Sequence, residues 1–334
     1  MLWAWSFAPC SWDDGNRGGP IGRPGTGRIE SMKRDSISTA VRIALMALGS
    51  CIAVALALGP HFADQIVSGQ NDFLAMYAGA KLAFTDQLYN PDAIRQVQVD
   101  SALATAEVMR FNRLPGYAMA LSPIGLLPYL LAYFVWQAVN LAAVIGAVSV
   151  WPYDRPLFAS VLAVCLPLYI GFANGQDVAF LIFGIAAAFR LHEGGRPGWA
   201  GFALGICLLK FHFLWAVPLV LLRNGKHRMI GGLALAGLAL TVPAFLVNPA
   251  WPADYYASIV SGRDVISKVP WTLFRWIGWF GLIPAAAAAW LAAGRWPLPI
   301  AASIAIIAAV LVSPHGYVAD LTLAAPLVAL VWDP

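Results

Sequence analysis

Charge is scarce in this chain of 334 residues. Asp, Glu, Lys and Arg make up 11% of it, against about 25% in soluble globular domains. That shortage excludes a soluble enzyme, a disordered protein and a nucleic-acid binder. Cysteine is sparse as well. The four present (Cys10, Cys51, Cys165, Cys207) form no CxxC or histidine-spaced pattern. Three lie in apolar runs, where cysteine is a small buried hydrophobe, so neither a disulfide framework nor a zinc site is expected. No internal repeat is visible. Apolar residues are what the chain has in abundance, at 60%, with a mean hydropathy of +0.70. The composition is that of an all-α, polytopic membrane helix bundle.

A helix needs about 20 apolar residues to cross the bilayer core. Clear candidates are Ile43–Gly59, Leu130–Trp151, Ile230–Val247, Trp276–Ala293 and Pro297–Val312, with a shorter run at Leu321–Trp332. Two longer regions are interrupted. Leu157–Arg190 breaks at the polar stretch Gly171–Asp177, and Trp199–Leu222 carries Lys210 and His212 at its centre. Each reads as a hairpin of two short helices. About ten membrane helices result, some short or broken. Such helices survive in a membrane only where protein or a wet cavity covers their backbone. Basic residues belong on the cytoplasmic side. Placing Lys33, Arg34, Arg155, Arg190, Arg196, Arg223, Lys226, Arg228 and Arg295 there puts residues 61–115, 248–270 and 313–320 outside. Residues 1–40, rich in Gly, Arg and Pro up to Arg28, read as an unstructured N-terminal extension with Met32 as the true start. Residues 41–334 then form one transmembrane domain.

The longest polar segment, residues 61–115, is the outer loop expected to carry chemistry, since long loops are usually functional. Phe73, Met76, Tyr77, Ala80 and Phe84 fall at helical spacing. Asn90-Pro91-Asp92 should start a second helix running to Val108. Both are expected to lie along the membrane surface as amphipathic helices. Asp72 opens the first of them. It reads either as a helix cap or as a catalytic carboxylate held at the membrane surface.

Five strings in order carry a resemblance. They are Asn71-Asp72-Phe73 with Tyr77, Ala80 and Leu88-Tyr89; Leu121-Ser122-Pro123-Ile124 with Leu127-Pro128 and Trp136; Asn174-Gly175-Gln176; the glycine-rich stretch Gly201 to Lys210; and Ser313-Pro314-His315 with Tyr317 and Asp320. Over about Val41–Trp332 the chain resembles glycosyltransferase family 87, membrane-embedded enzymes of the GT-C fold similar to polyprenyl-phosphate-mannose-dependent mannosyltransferases. It departs from the family at Arg113-Leu114-Pro115-Gly116-Tyr117, where a Tyr-Pro-Pro element is common. It also stops at Pro334, where family members usually continue, so a truncated chain is one expectation.

The resemblance implies inverting transfer of a mannose-like hexose from a polyprenyl-phosphate donor to a hydroxyl of a glycolipid or glycan acceptor. It implies a multi-pass protein of the bacterial inner membrane, with its active site facing the periplasm. Asp72 matches the catalytic base. The departing lipid phosphate needs cations or hydrogen-bond donors, and Lys210, His315, Gln176, Arg263 and Lys268 are the candidates for phosphate or sugar. The chain has no DxD motif, so no metal and no cofactor beyond the lipid-linked sugar are expected. Trp136, Trp251, Trp271, Trp276 and Trp279 read mostly as interfacial anchors. Two alternatives remain open: a multi-span transporter or lipid flippase, and an inactive truncated family member.

Overall fold

The computed structural model describes residues 26–68, 71–101, 108–261 and 272–332. Arg263, Lys268 and Trp271 lie outside the described residues, as does most of the N-terminal extension. The chain divides into Met1–Val41 and Arg42–Pro334, and the second unit holds every element after α1. Helix α1 (Thr26–Ser68) begins before Met32 and so includes residues read from composition as extension.

Among the described residues every regular element is helical. Four stretches include a run long and apolar enough to cross a membrane unaided: Ser38–Leu82, whose first helix ends at Ser68, and Tyr129–Val150, His227–Leu246 and Phe274–Ala293. A fifth forms if the bent pair Arg155–Ala163 and Leu166–Ala173 counts as one span. The sequence leads one to expect about ten. The difference is length: Leu298–Leu311 and Val318–Trp332 are apolar but shorter, and the two interrupted regions break into pieces.

Those breaks have local causes. In Leu157–Arg190 the chain bends by 61° between α6 (Arg155–Ala163) and α7 (Leu166–Ala173). Pro167 at the start of α7 lacks the N–H that would continue the earlier helix. Hydropathy gives no sign of this bend. The expected break comes next, at the turn between α7 and α8 (Val178–Glu193). The second region runs as α9 (Pro197–Leu204), a 3-10 stretch Gly205–Phe213 and α10 (Val217–Arg223). Helix α9 packs closely on α11 (His227–Thr241). A Cβ on Gly201 would run into the backbone of Met229, and one on Gly232 into that of Gly198. The glycines here set the distance between two backbones.

The described part of residues 61–115 is folded differently from its expected surface placement. Helix α2 (Asp72–Leu82) is not an amphipathic helix lying on lipid. Phe73, Leu74, Met76, Tyr77, Ala78, Gly79 and Ala80 are all buried, so it is covered on several sides. It packs on α4 (Pro115–Gly125) and α5 (Tyr129–Val150). Phe73 sits in a cage of Tyr77, Tyr129, Tyr133 and Trp136, with ring centroids 5.6–6.1 Å away. Trp136 is thus a core residue at 1% exposure, not an interfacial anchor. Helix α3 runs Pro91–Asp100, capped at its start by the Asn90 side chain. It is the amphipathic one, burying Ile94 and Gln98. Helix α12 runs Trp251–Ser261.

Candidate active site

Asn71 decides what Asp72 can do. Its backbone is extended and its Oδ1 accepts the Leu74 N–H at 3.3 Å, which makes Asn71 the cap of α2. Its Nδ2 donates to the Gln65 carbonyl at 3.1 Å and the Tyr129 hydroxyl at 2.9 Å. One orphan N–H of the helix is therefore satisfied without Asp72. Asp72 as a residue is partly buried, with its carboxylate turned inward. Its Oδ2 accepts from Asn174 Nδ2 at 3.1 Å and from Gln176 Nε2 at 2.5 Å. Among the described residues, none donates to Oδ1.

The turn that supplies these two amides is held from outside. Trp136 Nε1 donates to the Gly175 carbonyl at 2.8 Å, and the Tyr133 hydroxyl to that of Ala173 at 2.8 Å. Gly175 itself has φ +69°, and a Cβ there would stand 2.6 Å from the Cβ of Phe73. Gly175→Ala is expected to lower the thermal midpoint of the detergent-solubilised protein. The left-handed conformation alone costs an alanine about 1–2 kcal/mol, and the Phe73 clash adds to it. Transfer activity should fall with it, because Asn174 and Gln176 move off Asp72.

Behind the amides lies a buried ion cluster. Lys210 interrupts the 3-10 stretch with φ −126° and ψ 63°. It is 2% exposed. Its Nζ donates to Asp320 Oδ1 at 2.5 Å and to Gln176 Oε1 at 3.2 Å, and lies 3.5 Å from Asp177 Oδ1. A snorkelling lysine would reach water instead. Asp177 stands at the N-cap of α8 but makes no capping bond. It pairs with Arg113, whose Nε lies 3.1 Å from Oδ2. Burial alone would raise the Asp177 carboxyl. The Arg113 and Lys210 charges outweigh it and hold the group at about 2. Asp320 is fixed further by accepting the Tyr317 backbone N–H at 2.7 Å through Oδ2.

Arg113 also faces outward from the cluster. With His212, His315, Trp215, Tyr255 and Trp279 it lines a cavity of about 490 Å³. Three buried atoms of the lining residues, Asn112 Oδ1, His212 Nε2 and His315 Nδ1, have no partner among the described residues. A buried polar group left unpaired costs about 1–3 kcal/mol, which a polar ligand would offset. Burial, followed by the Arg113 and Lys210 charges, lowers His315 to about 4. Near neutral pH it is an uncharged donor and acceptor, and Arg113 is the cation of this cavity. No three His, Cys, Asp or Glu side chains among the described residues converge to hold a metal ion.

Of the residues singled out in the sequence, Asp72, Gln176 and Lys210 form one connected network. His315 lies in the adjoining cavity. Arg113 and Asn174 are legible in the sequence only as a loop base and as part of a turn. Nothing in their spacing joins Arg113 to Asp177, 64 positions away. A family model for glycosyltransferase family 87 matches residues 115–331, well over half of the chain. The chain belongs to glycosyltransferase family 87. Membership of family 87 indicates glycosyltransferase activity. The matched range contains Asn174, Gln176, Asp177, Lys210, His315 and Asp320, while Asp72 and Arg113 precede it. No protein of curated function and no solved structure matches the chain.

Proposed function

We propose that this family 87 enzyme is of the GT-C type and transfers a mannose-like hexose, with inversion, from a polyprenyl phosphate to an acceptor hydroxyl on the outer membrane face. The observation that carries the reading is the Asp72 carboxylate, relieved of capping by Asn71 and tethered through Oδ2 alone. A base must be within hydrogen-bond reach of the proton it removes, and Oδ1 is the oxygen left to do so. The acceptor oxygen attacks the anomeric carbon as its proton passes to Asp72. The bond from that carbon to the phosphate oxygen breaks, and the lipid phosphate leaves with the electron pair.

The leaving phosphate needs charge stabilisation, and Arg113 with neutral His315 supplies it. Most of the remaining wall of that cavity is apolar, formed by Phe211, Trp215, Trp279, Leu282 and Val312. Such a wall suits a lipid chain attached to an anionic head. Lys210, whose ammonium is engaged by Gln176, Asp177 and Asp320, serves the reading as an internal counter-charge that sets the Gln176 amide against Asp72. Periplasmic access is the side that the charge pattern of the flanks favours.

Membranes containing the chain should transfer label from a polyprenyl-phosphate hexose and not from the corresponding nucleotide sugar. In Arg113→Gln the donor KM should rise by about tenfold or more, as expected for loss of a charged hydrogen bond worth about 1.5–3 kcal/mol. Transfer from the nucleotide sugar, or an unchanged donor KM, would overturn the reading.

A further inference from the structure

Helix α12 has two working faces. Tyr255 and Ile259 line the phosphate cavity. Asp254, Ala257, Ser258 and Ser261 fall at i, i+3, i+4 and i+7, on one side of the helix, and line a second, open crevice of about 630 Å³. Its opposite wall comes from the loop after α2, with Asp86, Gln87, Tyr89 and Asn90. One lining residue of each space touches the other. Tyr89 and Tyr255 meet edge to face at 5.2 Å, and the Tyr89 hydroxyl donates to the Arg113 carbonyl at 2.8 Å.

The lining of the crevice is selective. It offers two carboxylates, the side-chain amides of Gln87, Asn90 and Asn248, serine hydroxyls and one aromatic ring, with no Lys, Arg or His among them. The one guanidinium beside it, Arg110, is engaged by the Ser258 carbonyl at 2.9 Å and the Ser261 hydroxyl at 2.5 Å, so an anionic ligand would face two carboxylates against a cation already occupied. A neutral polyhydroxyl compound would find acceptors for its hydroxyls and a ring for its C–H face. A second observation points the same way. Ser258 is 3% exposed and its Oγ has no partner among the described residues. Serines inside helices commonly bond back to the carbonyl four residues earlier, as Ser261 does to Ala257 at 2.8 Å. Ser258 does not, and it stands on the crevice side of the helix.

We infer that this crevice holds neutral sugar units of the acceptor, remote from the hydroxyl that is glycosylated. The inference rests on the transferase reading for its biological sense but not for its test. It makes α12 the partition between donor phosphate and acceptor glycan. It also makes acceptor affinity grow with glycan length while the rate at saturation stays the same, since contacts made equally in ground and transition states lower KM without raising kcat.

The test uses the full chain in detergent and saturation-transfer NMR with mannobiose, cellotriose and trigalacturonate as probes. Saturation should reach the protons of at least one neutral sugar and not those of the anionic one. Ala257→Trp fills the crevice from an exposed position without removing a hydrogen bond, and should abolish the signal. Asp254→Asn should weaken it. In membranes, glycolipid acceptors sorted by glycan length should show a KM raised about tenfold in Ala257→Trp for the longer ones, with kcat and the shortest acceptor unchanged. The inference is overturned if no neutral sugar receives saturation, if Ala257→Trp leaves the signal intact, or if a chelator removes it, which would mark Asp86 and Asp254 as a cation site. Crevice binding that is lost in Ala257→Trp, in a protein that uses no polyprenyl donor, would sustain the crevice while sinking the donor reading.

Discussion

Asp72→Asn is expected to lower sugar transfer by about a hundred- to ten-thousandfold, the range that a positioned general base contributes. The substitution keeps an oxygen where Asn174 and Gln176 donate, so their hydrogen bonds can persist. The cap of the helix is Asn71 and is not touched. What is lost structurally is one negative charge in the first turn of α2, worth about 0.3–1 kcal/mol through the helix dipole. The thermal midpoint should therefore move little while activity collapses. The check is a radiolabel transfer assay on membranes with matched protein levels, read beside donor binding. Activity retained in the variant would reduce Asp72 to an ordinary first-turn carboxylate. Asn71→Ala should show the converse pattern, with stability lost first.

The second large effect is on stability. Lys210→Met should destabilise the fold by about 3–5 kcal/mol, as when one partner of a buried ion pair is removed. The reason lies in what remains. Asp320, 1% exposed, would keep its backbone bond from Tyr317 but have no counter-ion within reach. Asp177 would retain Arg113 alone. A lysine that merely reached the interface would lose under about 1 kcal/mol in the same substitution. A double-mutant cycle with Asp320→Asn separates the cases. If the pair is as described, Lys210→Met with Asp320→Asn is more stable than Lys210→Met alone. Unfolding midpoints of the four detergent-solubilised proteins supply the measurement, and strict additivity would refute the pairing.

These residues show how far a sequence can be read. The long spans are legible because hydropathy is a local property: Leu130–Trp151 and Trp276–Ala293 fall within two residues of Tyr129–Val150 and Phe274–Ala293. The polar turn at Asn174–Asp177 is legible too, because amides and an acid rarely interrupt an apolar run without a reason. What each of them touches is not. Gln176 reaches Asp72 across 104 positions and Lys210 reaches Asp320 across 110, and no periodicity encodes such separations. The burial of α2 escapes a reading of sequence for a related reason. Its apolar stripe fits a membrane surface and a protein core equally well. The choice is made by Tyr129, Tyr133 and Trp136, which arrive from another helix.

The ion cluster of Asp177 and Asp320 with Lys210 and Arg113 lies behind the Asp72 carboxylate and within electrostatic reach of it. On the proposed reading Asp72 takes up the acceptor's proton and must shed it before it can serve as a base again. Each cycle can begin again only after that proton escapes to bulk water. A turnover rate that slows in deuterium oxide, and that rises with the concentration of a small permeant buffer, would identify the resetting of Asp72 as the slow event.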